Sequence, residues 1–190
     1  MPSKASFSEF ADDDHRVQAE EFMRELGRFA IAFERMCEAM RHTVLYILQS
    51  EGLAHQGLGQ VVIGDKGSGE LQLLVGALFT ELRSRTDATD QKAVQAVLKE
   101  VDSLTEARNL VVHGAWRFGK NAAYAEFYAN TIRPRTKKTK GAEPELHGVS
   151  APYLRELTER SKALQVKLQR LHHCVLQSGF KISVELAKPL

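Results

Sequence analysis

Along residues 15–50, Phe22, Leu26, Phe29, Phe33, Cys37, Met40, Val44 and Ile47 recur at three- and four-residue steps. That period places them on one face of an α-helix roughly ten turns long. A helix of this length with one apolar face must lay that face against other elements, so an all-β architecture is excluded. The run "DDD" at 12–14 offers an N-cap and negative charge at the positive end of the helix dipole. Gly27 marks a place for the helix to bend or split, since a mid-helix glycine costs about 1 kcal/mol relative to alanine.

Three shorter helices follow. The first, about 70–85, carries Leu71, Leu74, Val75, Leu78 and Leu82 on one face. The next, about 89–113, starts at Thr89 or Asp90 as N-cap and ends at Gly114, well placed as a left-handed C′ residue. The last, about 151–178, is capped by Ser150 and repeats Leu157, Leu164, Leu168, Leu171 and Val175. Residues 52–69 read as a glycine-rich loop. Its segment "GDKGSGE" lacks the Gly-Lys-Ser/Thr ending of a P-loop, so it reads as loop geometry alone. "AWRF", "GKN" and "AAYAEFYANTI" resemble a hairpin with a glycine-bearing turn, and residues 133–150 read as an exposed loop. The tail "KISVELAKPL" reads as a short strand or a fraying end.

The expected architecture is one all-α domain over residues 1–190. It is an antiparallel four-helix bundle with a long first helix and a small β-hairpin between helices 3 and 4, hairpin and basic loop together spanning about 115–149. With 190 residues, 43% of them hydrophobic, the chain can bury a sizeable core. A net charge of +2 supplies no global field toward nucleic acid or anionic membrane. Cys37 and Cys174 each lie within a helical pattern, which suits buried thiols in a reducing compartment. The N-terminus lacks the cationic start and apolar run of a secretory signal. The longest apolar stretches, such as "LQLLVGALF", are about half the roughly 18 residues needed to span a bilayer. A soluble, cytoplasmic protein with no membrane partner is expected.

The third helix carries the chemistry. With Val101 set at zero on a helical wheel, Val94, Val97, Leu98, Leu104, Val111 and Val112 fall within about 80°. Arg108 lands about 20° from the centre of that face, while Asn109 and His113 share one edge with Asp102 and Glu106. Arg108 is thus directed toward the core, or toward an interface or cleft that continues it. A guanidinium cannot shed its proton, so its burial demands carboxylates, carbonyls or a ligand anion. The plain account is an ion pair with a carboxylate on another helix. His113, in the last turn, is favoured by the negative end of the dipole and suits proton transfer near neutral pH. On a straight helix Arg108 and His113 point about 140° apart. One copy therefore makes a poor closed site, whereas two copies across a two-fold axis bring both pairs into one cleft.

"RNLVVH" at 108–113, near the end of a helix in a helical bundle, resembles the HEPN superfamily. Its hallmark is an arginine, commonly followed by Asn, Asp or His, with a histidine after four to six intervening residues. The resemblance implies a homodimeric, metal-independent endoribonuclease that needs no cofactor. It implies His113 as general acid or base, Arg108 as the stabiliser of phosphorane-like charge, and Asn109 as the residue holding the histidine or a phosphate oxygen. Glu106 reads as a solvated neighbour or as a partner for Arg108 of a second protomer. A role in toxin–antitoxin or phage-defence biology, with an antitoxin or defence-system protein as partner, follows from the same resemblance. Toxin members paired with nucleotidyltransferases carry a tyrosine two residues after the histidine, where Ala115 stands here. The superfamily also contains non-catalytic modules that bind RNA, nucleotides or proteins, which is the alternative reading.

Arg133, Arg135, Lys137, Lys138 and Lys140 place five cations in eight residues, near Tyr124, Phe127 and Tyr128. Such a run either grips single-stranded RNA by phosphate contact and stacking or forms a solvated loop. His172, His173 and Cys174 are adjacent, but neighbouring helical positions diverge by about 100°, so no metal site is expected. Trp116 is expected to pack the hairpin against the bundle.

Overall fold

A computed structural model describes residues 12–82, 86–120, 127–137, 141–177 and 181–189; at 120, 127–128, 132–137 and 141–146 the description is of the backbone. These residues form six helices and a three-stranded antiparallel sheet: α1 Asp13–Ser50, α2 Gln56–Ile63, α3 Ser68–Glu81, α4 Ala88–His113, β1 Ala115–Lys120, β2 Phe127–Lys137, β3 Gly141–Gly148, α5 Ala151–Leu176 and α6 Ile182–Ala187. The protein is mostly helical.

Helix α1 starts where the acidic run predicts. Asp12 is the N-cap and accepts from the His15 N–H at 2.8 Å, with Asp13 and Asp14 in the first turn. It continues through Gly27 without a break to Ser50. Its buried face is wide enough to serve neighbours on two sides: Phe22, Phe29, Met36 and Met40 are all at or below 1% exposure. Helix α5 lies along it. Arg155 near the start of α5 bonds Glu21 at 3.0 Å, and the Thr43 hydroxyl donates to the Leu168 carbonyl at 3.4 Å further down. These contacts join start to start and end to end, so α1 and α5 run in the same direction. The alternating antiparallel order expected from the sequence does not hold for this pair.

The reason lies in residues 52–69, which are not a continuous loop. Helix α2 occupies Gln56–Ile63 and buries Ile63 and Gly59. It returns the chain along α1, so that α3 begins beside the middle of α1, where the Arg41 guanidinium donates to the Lys66 carbonyl at 3.2 Å. α4 then runs antiparallel to α3: Gln72 donates to the Leu98 carbonyl at 3.0 Å and Gln91 to the Phe79 carbonyl at 2.9 Å. The N-cap of α4 is Asp87 rather than Thr89 or Asp90; it accepts from both of their N–H groups at 2.8 Å. That bonding holds the Asp87 carboxyl below the usual carboxylate range, the Asp90 N–H contributing most.

Three further expectations are corrected. Residues 133–137 and 141–148 are strands, so the hairpin is a β1-β2-β3 sheet rather than two strands and a loop. β1 extends through Lys120, which puts "GK" inside a strand. The tail forms α6, where the Ser183 N–H donates to Asp90 Oδ1 at 2.8 Å; Asp90, itself buried, gives this segment an anchor that no apolar pattern reveals.

Gly114 is also not left-handed. Its φ of −82° and ψ of 151° are extended, a conformation open to any residue. Glycine is required here by space: a Cβ would sit 1.5 Å from Thr131 Oγ1 and 2.9 Å from Thr131 Cβ. Thr131, fully buried, donates to the Leu110 carbonyl at 3.2 Å and so ties β2 to the last turn of α4. Trp116 completes the junction: its indole N–H donates to the Val111 carbonyl at 2.9 Å, and its ring meets Phe22 of α1 edge-on at 4.9 Å. Gly114→Ala should therefore lower stability by about 1–3 kcal/mol through overpacking alone. Urea unfolding checks this, and Thr131→Ala in the same chain should recover part of the loss.

Candidate functional site

The junction at Gly114 fixes the last turn of α4, and the motif residues sit on its last two turns. Arg108 is half-buried and lines a cleft between α1, α3 and α4. Its guanidinium carbon lies 5.9 Å from the centre of the Phe33 ring, over its face. Nη1 donates to Asn109 Oδ1 at 3.3 Å and also meets Nε2 of His113. The two side chains expected to diverge therefore join within one chain. The long, unbranched arginine side chain bridges the angle that the helix backbone opens, and Asn109 supports the head on the way.

This contact assigns the histidine tautomer by chemistry. A guanidinium only donates, so His113 Nε2 accepts and the ring proton belongs on Nδ1. His113 is exposed, and Val112 beside it is exposed as well, in contrast to its expected place on the buried face. Solvent and ligand can reach the imidazole. Among the described residues no carboxylate lies within ion-pair distance of Arg108, so the plain account of a buried ion pair has no partner to offer. Glu106 is exposed on the same helix and is not joined to the arginine. The triad of guanidinium, amide and imidazole presents a fixed cation next to a neutral base.

Behind Arg108 lies a pocket of about 450 Å³ between α1, the start of α3 and α4. Arg108, Asn109 and Thr105 face it from α4, Cys37 and Arg41 from α1, and the segment from Asp65 to Glu70 closes the third side. The sequence segment dismissed as loop geometry thus forms a helix N-terminus beside the motif. Gly-rich composition was the only signal, and no P-loop pattern accompanied it. Burial, reinforced by Glu34, pushes the Cys37 thiol up to about 12, so it is a protonated lining group and no nucleophile.

The basic run is divided. Arg133, Arg135 and Lys137 belong to β2, in register with Glu145, Glu143 and Gly141 of β3. Two cations thus stand opposite two acidic residues in the ladder. Lys138, Lys140 and Tyr124 lie outside the described residues, while Phe127 and Tyr128 begin β2. At the far end of α5, His172 packs against Tyr46 at 4.9 Å and against His173 at 4.9 Å. Among the described residues no group of three or more His, Cys, Asp or Glu is arranged to hold a metal, and no helix is long and apolar enough to cross a membrane. No known protein family, curated protein or solved structure matches the chain.

Two outcomes follow from this geometry. Arg108→Ala strands no buried carboxylate; it loses a stacking contact and two partly exposed hydrogen bonds. Urea unfolding should show a loss of about 1 kcal/mol, not the roughly 3–5 kcal/mol of a broken buried pair. His172 is pushed down to about 4, first by burial and then by His173 and His42. An unfolded histidine titrates near 6.5, so the unfolded chain takes up a proton that the folded one refuses between these values. The contribution of His172 is fully present above about pH 6.5 and is lost as pH drops toward 4. Melting temperature against pH should decline less across that window in His172→Phe than in the parent protein.

Proposed function

We propose that the protein is a HEPN-like, metal-independent endoribonuclease whose site is Arg108, Asn109 and His113. The observation that carries this reading is the hydrogen-bonded group at the end of α4, where a fixed guanidinium adjoins a reachable neutral imidazole. In this reading α1, α3, α4 and α5 are the four-helix bundle of that superfamily, and a second copy of the chain completes the site.

The chemistry suits the groups. His113 Nε2 takes the proton of a ribose 2′-hydroxyl; the 2′-oxygen bonds to phosphorus and the bond to the 5′-oxygen breaks. Arg108 holds the charge that gathers on the non-bridging oxygens, the task of a preorganised cation. A second imidazole, from the other copy, protonates the departing 5′-oxygen. The products are a 2′,3′-cyclic phosphate and a 5′-hydroxyl. Because Arg108 and His113 already meet in one chain, the dimer is needed for the acid rather than to unite the pair. Arg133, Arg135 and Lys137 of β2, with Lys138 and Lys140 beyond it, supply phosphate contacts along the RNA. An antitoxin or defence-system protein is the partner this reading expects.

One observation favours the second reading, a non-catalytic HEPN-like binding module: the lone pair of the base is already engaged by Arg108. Incubation with RNA in EDTA separates the two. The nuclease gives cyclic-phosphate ends, and His113→Ala lowers the rate by at least about 100-fold with the fold intact. Absence of cleavage by the parent protein rejects the nuclease and leaves the module.

A further inference from the structure

The pocket behind Arg108 points to a ligand of its own. At its floor are the first-turn amides of α3, Ser68 and Gly69, which have no intrahelical acceptor and lie at the positive end of the helix. Glu70 is spent on the cap: one oxygen accepts from the Gly67 N–H at 3.1 Å and the other lies 3.7 Å from Lys66 Nζ. Space over the backbone is open, since a Cβ on Gly69 would meet nothing within 4 Å. Arg108 approaches from α4 and Arg41 from α1, so with Lys66 three cations and a helix end converge on the same volume. Two buried polar atoms in the wall, Thr105 Oγ1 and Arg41 Nε, have no hydrogen-bond partner among the described residues, a cost that a polar ligand offsets. The lining is not purely cationic: Glu34 and Asp65 face the same space. Carboxylates repel a bare polyanion, but they accept hydrogen bonds from hydroxyls.

We propose that this pocket, which no part of the cleavage reading uses except Arg108 and Asn109, binds a small phosphomonoester that carries hydroxyl groups, of the ribose 5-phosphate kind. The phosphate rests on the Ser68 and Gly69 amides between Lys66 and Arg108, in the manner open to any helix N-terminus. The hydroxyls face Glu34 and Asp65. A volume of about 450 Å³ accommodates a molecule of this size. The same chemistry is presented by a free sugar phosphate and by the phosphorylated terminal ribose of an RNA.

Isothermal titration with ribose 5-phosphate tests this, with ribose as the control. Saturable binding of the phosphate ester and none of ribose is expected. Ser68→Pro removes one amide at a helix position where proline is well accepted, and Lys66→Ala removes the ammonium. Each should weaken binding by about tenfold or more, with melting curves confirming the fold; Lys66→Ala decides if Ser68→Pro does not fold. Competition by a 5′-phosphorylated oligoribonucleotide, but not by its 5′-hydroxyl form, assigns the source to an RNA end, whereas competition by neither assigns it to a free metabolite. Ribose 5-phosphate binding is measured without RNA, and cleavage without ribose 5-phosphate, so loss of cleavage and loss of this binding are read separately. Failure of ribose 5-phosphate to bind saturably, equal binding of ribose, or undiminished binding by Lys66→Ala overturns the proposal.

Discussion

The apolar surface of α1 is the constraint on which the other elements depend. A helix of 38 residues cannot bury its apolar side chains against itself, and its stripe is wide enough to need cover from two directions. α5 covers one side and α3 with α4 the other; Phe22 at its beginning receives the sheet through Trp116 and Phe118. Phe33, in its middle, presents the ring face over which Arg108 lies. The candidate site is thus set against α1 although none of its motif residues belongs to α1.

The second determinant is the crowding at Gly114. Removing one Cβ lets Thr131 reach the Leu110 carbonyl, and this closes the sheet onto the last turn of α4. A helix end ordinarily frays, and a base on a fraying end keeps no fixed geometry. Here Thr131 and the Trp116 indole restrain it from the following sheet, donating to the Leu110 and Val111 carbonyls. The sheet therefore shapes the site.

Four helices were legible because long apolar periodicity reports burial directly, and their ends agree to within a few residues. What escaped had specific causes. α2 is eight residues long, with two glycines and with Leu58, Val61 and Val62 left exposed, so its periodicity carries no clear face. β3 contains a proline and two charges that resemble a loop until β2 pairs with it. α6 is anchored by the buried carboxylate Asp90 rather than by an apolar stripe. Gly114 was recognised as necessary for the wrong reason, because steric approach by a residue far along the chain is invisible locally. The motif was found as a pattern, while its geometry was not: a wheel assigns a direction to the Cβ, and the reach of an arginine side chain exceeds that direction.

The central claim is that Arg108 and His113 form one hydrogen-bonded unit within a single chain, with Nε2 as the acceptor. Nitrogen-15 NMR of the His113 imidazole at pH 8 tests it most directly. The account predicts a neutral ring protonated on Nδ1, a preference that disappears in Arg108→Ala. A ring protonated on Nε2, or a tautomer indifferent to Arg108, would contradict it.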